Sequence, residues 1–303
     1  MSSNSEGETP EFQTPWRDVT WGNPSKVSLI SGINQIQPSI TNLKCLRVIM
    51  VGPPGSGKSS FINSVNNAFQ GRITSNAMSD SCGGGKSFTT EQYRECKMKT
   101  GNTKLPIVFS DVMGLEAEDK KGYHPDDIIQ AINGNIKYGY EFNPEKPISP
   151  EDPYYNKDPD LSDEVYCLVY VLAADKIRLA HDDIFKKLRN IRLKVCKTFG
   201  LPQVVVMTNV DQVCPVVKNN IWKVYHSKKI KEKMELCSSS LGVPMCHIFP
   251  VKNYHEEIVS NEYMDILILQ AFTQIMQLAK DNVEIRLEKK DSQNVREKQT
   301  KSE

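Results

Sequence analysis

The chain lacks an excess of charge of either sign. Its 38 Lys and Arg stand against 37 Asp and Glu, which leaves a net charge of +1 over 303 residues. So even a balance argues against a nucleic-acid partner held by bulk electrostatics. Long apolar runs are also missing. None approaches the roughly 18 residues that a membrane-spanning helix needs, so no membrane span is expected. The opening stretch, MSSNSEGETPEF, has neither the basic start nor the apolar core of a secretory signal. No N-terminal Met-Gly and no C-terminal prenylation motif is found. Paired cysteines are absent too. Cys45, Cys82, Cys96, Cys167, Cys196, Cys214, Cys237 and Cys246 are scattered, with no C-x-x-C spacing. In a chain of this size without a signal, that scatter predicts reduced thiols rather than disulfides or zinc ligands, and a cytoplasmic location.

What is present is concentrated in one stretch. Gly52-Pro53-Pro54-Gly55-Ser56-Gly57-Lys58-Ser59 matches G-x-x-x-x-G-K-[ST]. It lies between the apolar run Leu46–Val51 and the helix-patterned Ser60-Phe61-Ile62-Asn63-Ser64-Val65. Strand, glycine-rich loop and helix are the context this motif requires. Glycines let the loop wrap closely around a phosphate chain. Its successive N–H groups form an anion nest, reinforced by the positive end of the helix. Lys58 is placed to reach the β- and γ-phosphates, the Ser59 hydroxyl to ligate Mg²⁺, and Ser60 to lie beside them.

Before this loop, residues 1–15 are polar and expected to be disordered. Trp16 and Trp21, beside Pro15, predict a lead-in that docks on the domain, because each ring has a large area to bury. A short helix is expected within 25–43. After the loop, the first helix should run to Gly71. Residues 72–92 read as a mobile segment carrying Gly83-Gly84-Gly85. GTPases place a Mg²⁺-binding hydroxyl here, and Ser87, Thr89 and Thr90 are all open to that role; Thr90 is taken as the metal candidate. Strands are expected at Tyr93–Thr100 and Pro106–Ser110.

The second of these strands ends in Asp111-Val112-Met113-Gly114. D-x-x-G is common by chance, so its place after an apolar strand carries the information. Asp111 would hold the Mg²⁺ shell, and the Gly114 N–H would bond the γ-phosphate. Residues 115–163 show no strand pattern. They hold one helical piece near Pro125–Lys137 and then a Pro-rich stretch, Asn143–Tyr155, too interrupted for regular structure. That stretch reads equally as a functional loop or a flexible one. Val165–Leu172 and Gln203–Met207 are buried strands flanking a long helix that Gly200 caps.

Thr208-Asn209-Val210-Asp211 comes after the later strand. GTPases read guanine here with [NT]-K-x-D, the Asp accepting from guanine N1–H and N2–H₂. A paired polar readout of this kind discriminates strongly. Thr208 and Asp211 fit, whereas Asn209 stands where Lys is usual. Residues 218–241 predict one basic helix with a solvated lysine face. A last strand at His247–Val251, a helix at Tyr263–Lys280 and a fraying tail complete the chain.

Several of these residues together resemble a known family. They are Arg47–Gly52 with Gly57–Val65, Asp126-Asp127-Ile128, Ile132–Ile136, Tyr140–Pro144, Thr208–Asp211 and Val251-Lys252-Asn253-Tyr254. The stretch 15–285 is similar to interferon-induced protein 44 and its close relatives. The resemblance implies a cytosolic, interferon-inducible protein with a GTPase-like domain, linked to antiviral responses. Longer members carry an N-terminal TLDc domain, which is not expected among these residues.

The expected fold is α/β, a P-loop NTPase of Ras-like kind with a mostly parallel sheet and helices on both faces. The expected division is a partly disordered lead-in at 1–43, a GTPase-like domain at 44–282 with an insertion at 115–163, and a charged tail at 283–303. The expected ligands are GTP or GDP with Mg²⁺, held by residues 52–60, Gly114, Thr208, Asn209 and Asp211, with Ser59, Thr90 and Asp111 at the metal. Leu115 stands where small GTPases place a water-orienting Gln, and the loop has no Arg, so hydrolysis should be slow or partner-dependent. Self-association or a protein partner is open. Two other readings stay open: an interaction scaffold that works without nucleotide, and an ATP-using P-loop enzyme.

Overall fold

The computed structural model describes residues 10–36, 43–74, 92–100, 103–118, 121–177 and 183–300. The strands are β1 (Leu46–Val51), β2 (Arg94–Thr100), β3 (Thr103–Asp111), β4 (Cys167–Ala173), β5 (Gln203–Thr208) and β6 (Ile248–Pro250). They form one sheet in the order β2-β3-β1-β4-β5-β6. β2 pairs antiparallel with β3, and every other pairing is parallel. All residues of β1, β4 and β5 are buried, as near-continuous apolar runs require when helices cover both faces.

The helices are α1 (Asn23–Asn34), α2 (Lys58–Gln70), α3 (Pro125–Ile132), α4 (Asp183–Phe199), α5 (Val210–Val213), α6 (Pro215–Asn219), α7 (Lys228–Leu241) and α8 (Glu262–Thr300). α1 and α2 pack on α8, and α3 and α7 pack on α4. The mostly parallel sheet with helices around it is the architecture expected from the sequence. Parallel order also sends the chain segments that leave β1, β4 and β5 to one edge of the sheet, side by side.

Four local expectations need correction. The helix expected over Pro125–Lys137 stops at Ile132, because Gly134 adopts φ 80° and turns the chain out. The single basic helix over 218–241 is three pieces: α6, a 3₁₀ turn at Ile221–Tyr225, and α7. The Ser227 hydroxyl accepts from the Ile230 N–H at 3.2 Å and starts α7 afresh. The final helix continues past Lys280 to Thr300. Its extension is pinned where Arg286 pairs with Glu164 at 2.9 Å and lies 5.2 Å from the centre of the Tyr166 ring.

The fourth correction concerns the lead-in. Residues 10–15, expected to be disordered, run along the break before α7. The Phe12 N–H donates to the His226 carbonyl at 2.8 Å, and the Lys228 N–H to the Pro10 carbonyl at 3.2 Å. The two tryptophans dock as expected: Trp16 edge-on against Tyr225 at 5.2 Å, Trp21 against Tyr263 at 5.6 Å. The Arg17 guanidinium donates to the Ile248 and Met245 carbonyls at 2.8 and 2.6 Å. Lysines expected on a solvated face also serve this contact. Lys223 pairs with Glu11 at 2.8 Å, and Lys231 lies 5.3 Å from the centre of the Phe12 ring.

Behind the lead-in, Lys26 of α1 pairs with Asp265 of α8 at 2.6 Å, the carboxylate being fully buried. The Tyr254 hydroxyl donates to the same carboxylate at 2.7 Å, and the Tyr254 N–H donates to the Ser64 hydroxyl at 3.0 Å. Ser64 in turn donates to the Ser60 carbonyl at 2.7 Å, one turn into α2.

Candidate nucleotide site

The phosphate loop leaves β1 and enters α2 at Lys58, whose side chain is 7% exposed. Its ammonium donates to the Gly52 carbonyl at 3.1 Å and the Pro53 carbonyl at 3.2 Å. Among the described residues it has no carboxylate within ion-pair distance. Burial pushes its pKa down, opposed by the nearby Asp111 charge. A cation out of water with carbonyls as its only close partners is an incomplete arrangement, because an anion there would compensate it. Gly57 precedes the helix at φ 92°, and a side-chain carbon there would come within 2.9 Å of Asn253 Nδ2. Only glycine fits both constraints.

Ser59 and Asp111 meet as the motif pair predicts: the Ser59 hydroxyl donates to Asp111 Oδ2 at 2.7 Å. One hydroxyl and one carboxylate make the sparse protein ligand set that Mg²⁺ takes when phosphate oxygens and water complete its shell. The residues present therefore fit this ion. Among the described residues no cluster of three or more His, Cys, Asp or Glu offers a metal site made of protein alone. Thr90, Ser87 and Thr89 lie outside the described residues. Gly114 is buried against the loop, and a side-chain carbon there would lie 2.6 Å from Pro54 Cγ. The Leu115 N–H donates to the Gly52 carbonyl at 3.0 Å, and its side chain is buried. D-x-x-G thus touches the phosphate loop directly.

Thr208 is buried, and its hydroxyl donates to the Ser56 carbonyl at 2.6 Å. It joins the end of β5 to the phosphate loop. Asn209 is the one described non-glycine residue at positive φ, 56°. Its Nδ2 donates to Asp175 Oδ1 at 3.3 Å. Asp211 is partly exposed and accepts from Gln212 Nε2 at 3.0 Å. Pro54, Gly55 and Ser60 are exposed at the rim, while Ser56 is buried.

Sequence reasoning did not include Asn253 or Asp175 among the site residues. Asn253 donates from Nδ2 to the Gly57 carbonyl at 3.2 Å, which brings the segment after β6 onto the loop. Its partner is 196 residues away in the chain, so no local pattern marks it. The placement of Val251-Lys252-Asn253 after the last strand was the available signal.

No family model matches the chain. Human interferon-induced protein 44-like is 32% identical over 258 residues, covering 84% of this chain and 56% of that protein. Human interferon-induced protein 44 is 30% identical over 259 residues, covering 85% of this chain and 57% of that protein. The chain thus spans little more than half the length of these curated relatives. Among solved structures, Toc33 from Arabidopsis thaliana in complex with GDP and Mg²⁺ is 14% identical with a TM-score of 0.48, covering 86% of this chain and 94% of that one. Over more than four-fifths of its length, the chain is a homologue of the interferon-induced protein 44 and 44-like proteins.

Proposed function

We propose that the protein binds guanine nucleotide with Mg²⁺ and hydrolyses GTP slowly or only with a partner. One observation carries this reading: the Lys58 ammonium is buried in the glycine-rich loop with the Gly52 and Pro53 carbonyls as acceptors, and the Ser59–Asp111 pair stands beside it. In this reading the loop N–H groups and Lys58 hold the β- and γ-phosphates. Ser59 and Asp111 hold Mg²⁺, which screens phosphate charge. Asp211 accepts from the guanine edge.

Slow turnover is the consequence of what surrounds the γ-phosphate position. Leu115 is apolar, buried and tied through its N–H to Gly52, so it offers no group to orient water. Interferon-induced expression belongs to the same proposal and is supported by the relatives' names; an immune role and a cytosolic location are proposed with it. Transcript levels in interferon-treated cells test the first of these.

The direct test is equilibrium binding of fluorescent GTP with Mg²⁺, competed by GTP, GDP and ATP. Guanine-selective binding that Lys58→Ala removes supports the reading. Preference for ATP would replace it with the ATP-using enzyme. No binding up to millimolar nucleotide would favour the nucleotide-independent scaffold, a reading that Asn209 in place of Lys keeps in view.

A further inference from the structure

The sheet order puts the end of β4 between the ends of β1 and β5. The segment leaving β4 therefore stands between the phosphate loop and the Thr208–Asp211 turn. That segment is a single 3₁₀ turn, Ala174–Lys176, after which Ile177 is buried again. Two polar side chains emerge from this turn, Asp175 and Lys176, and both are exposed.

They serve opposite neighbours. Asp175 accepts from Asn209 at 3.3 Å, on the β5 side. Lys176 turns to the β1 side, where a side-chain carbon at Gly55 would lie 3.5 Å from its Nζ. Lys176 forms no hydrogen bond or ion pair among the described residues. An ammonium is thus held over the rim of the phosphate loop with its donors unspent, at a loop whose N–H groups already suit an anion. The base-reading turn, meanwhile, lacks a lysine: Asn209 occupies that position, is shorter, and is engaged with Asp175.

We infer that Lys176 is a nucleotide contact, supplying from β4 the cation that the Thr208–Asp211 turn does not carry. The ligand class is a nucleoside di- or triphosphate, and the contact falls where phosphate chain and sugar leave the loop. The inference rests on the nucleotide-binding reading and adds a specific residue to it. A lysine on an open surface would be ordinary. This one is set apart by standing at the seam of two ligand-facing loops, with Asp175 and Asn209 filling the other half of that seam.

The test is a titration of fluorescent GTP and GDP with Mg²⁺ on the full chain, for wild type, Lys176→Ala, Lys176→Arg and Lys58→Ala. One charge-assisted contact corresponds to about a tenfold loss of affinity in Lys176→Ala. Lys176→Arg should recover most of that loss, and the wild-type advantage should shrink as salt rises. Without nucleotide, Lys176→Ala should melt with wild type, because the side chain is exposed and has no partner among the described residues. Unchanged affinity in Lys176→Ala, alongside lost binding in Lys58→Ala, would overturn the role of Lys176 and leave nucleotide binding standing. Absence of any Lys58-dependent binding in wild type would overturn both.

Discussion

Two charges are buried in this molecule by the same device and to opposite ends. In the phosphate loop, Lys58 is surrounded by backbone carbonyls, and burial lowers its pKa. Between β3 and β4, Asp127 is fully buried and is met by the Ile148 N–H at 2.8 Å and the Tyr140 hydroxyl at 3.3 Å. Burial pushes its pKa up to about 6. The backbone replaces water around both groups. The difference lies in what is left over. An ammonium has three donors, and Lys58 uses two of them on the loop, which leaves a third unspent. Asp127 is closed in by its own segment, with Tyr93, Tyr123 and Tyr140 packed around Phe142. One buried charge keeps a donor in reserve, and the other fastens an irregular stretch.

That contrast can be broken at four places. Lys58→Ala should cost the most in function, about a hundredfold or more in GTP affinity, while leaving the melting temperature unchanged or raised. A large loss of stability would mean that Lys58 is a structural group, and the contrast with Asp127 would fail.

Asp127→Asn comes next, and its effect depends on pH. The folded-state pKa of Asp127 lies above its unfolded value, so the native state holds the proton more tightly. Wild-type stability attributable to this group is therefore full below about pH 4 and falls as pH rises through about 6, by about 2–3 kcal/mol. The Asn variant keeps an acceptor for the Ile148 N–H and lacks the titration. In urea melts its stability relative to wild type should rise from pH 5 to pH 8. A constant difference across that range would show that Asp127 does not titrate in the native protein.

Ser59→Ala should weaken Mg²⁺-dependent GTP binding about tenfold, with little effect on binding measured in excess chelator. Equal losses with and without Mg²⁺ would place Ser59 off the metal. Tyr140→Phe is the smallest change. It removes one hydrogen bond to Asp127, costs about 1 kcal/mol above pH 7, and moves the pH transition upward. An unmoved transition would show that the Tyr140 hydroxyl does not hold the Asp127 pKa down against the effect of burial.

The strand, glycine-rich loop and helix around Lys58 were legible in the sequence, because the motif is made of contiguous residues. Gly52–Ser59 between an apolar run and a helix, and Asp111 at the end of an apolar strand, are local patterns with few alternatives. Contacts made across the sheet left no such pattern. Lys176 stands near Gly55 because β4 lies next to β1, which only the fold establishes. The break at Ser227 was missed because lysines and apolar residues keep helical spacing through it, while the competing cap is a single hydroxyl. The course of α8 beyond Lys280 was missed because balanced charge without an apolar stripe suits a solvated helix and a tail equally. In the insertion, the prolines excluded regular structure but not packing, and Asp127 binds the segment through backbone groups that carry no sequence signature.

The ion pair between Lys26 and Asp265 bears on how this protein can be divided. A boundary drawn at Lys44, where the first strand approaches, would look natural for expressing the sheet and its helices alone. It would also remove α1, which packs on α8, and with it Lys26, leaving Tyr254 as the remaining donor to Asp265 from outside α8. The loss of a buried ion pair together with the helix that covers it removes a contact the rest of the chain was built around. The strain would fall on Tyr254 and Ser64, and through them on the first turn of α2 beside the glycine-rich loop. A fragment begun at Lys44 could therefore fail to bind nucleotide for reasons unrelated to its binding residues, and a faithful minimal version has to begin upstream of α1.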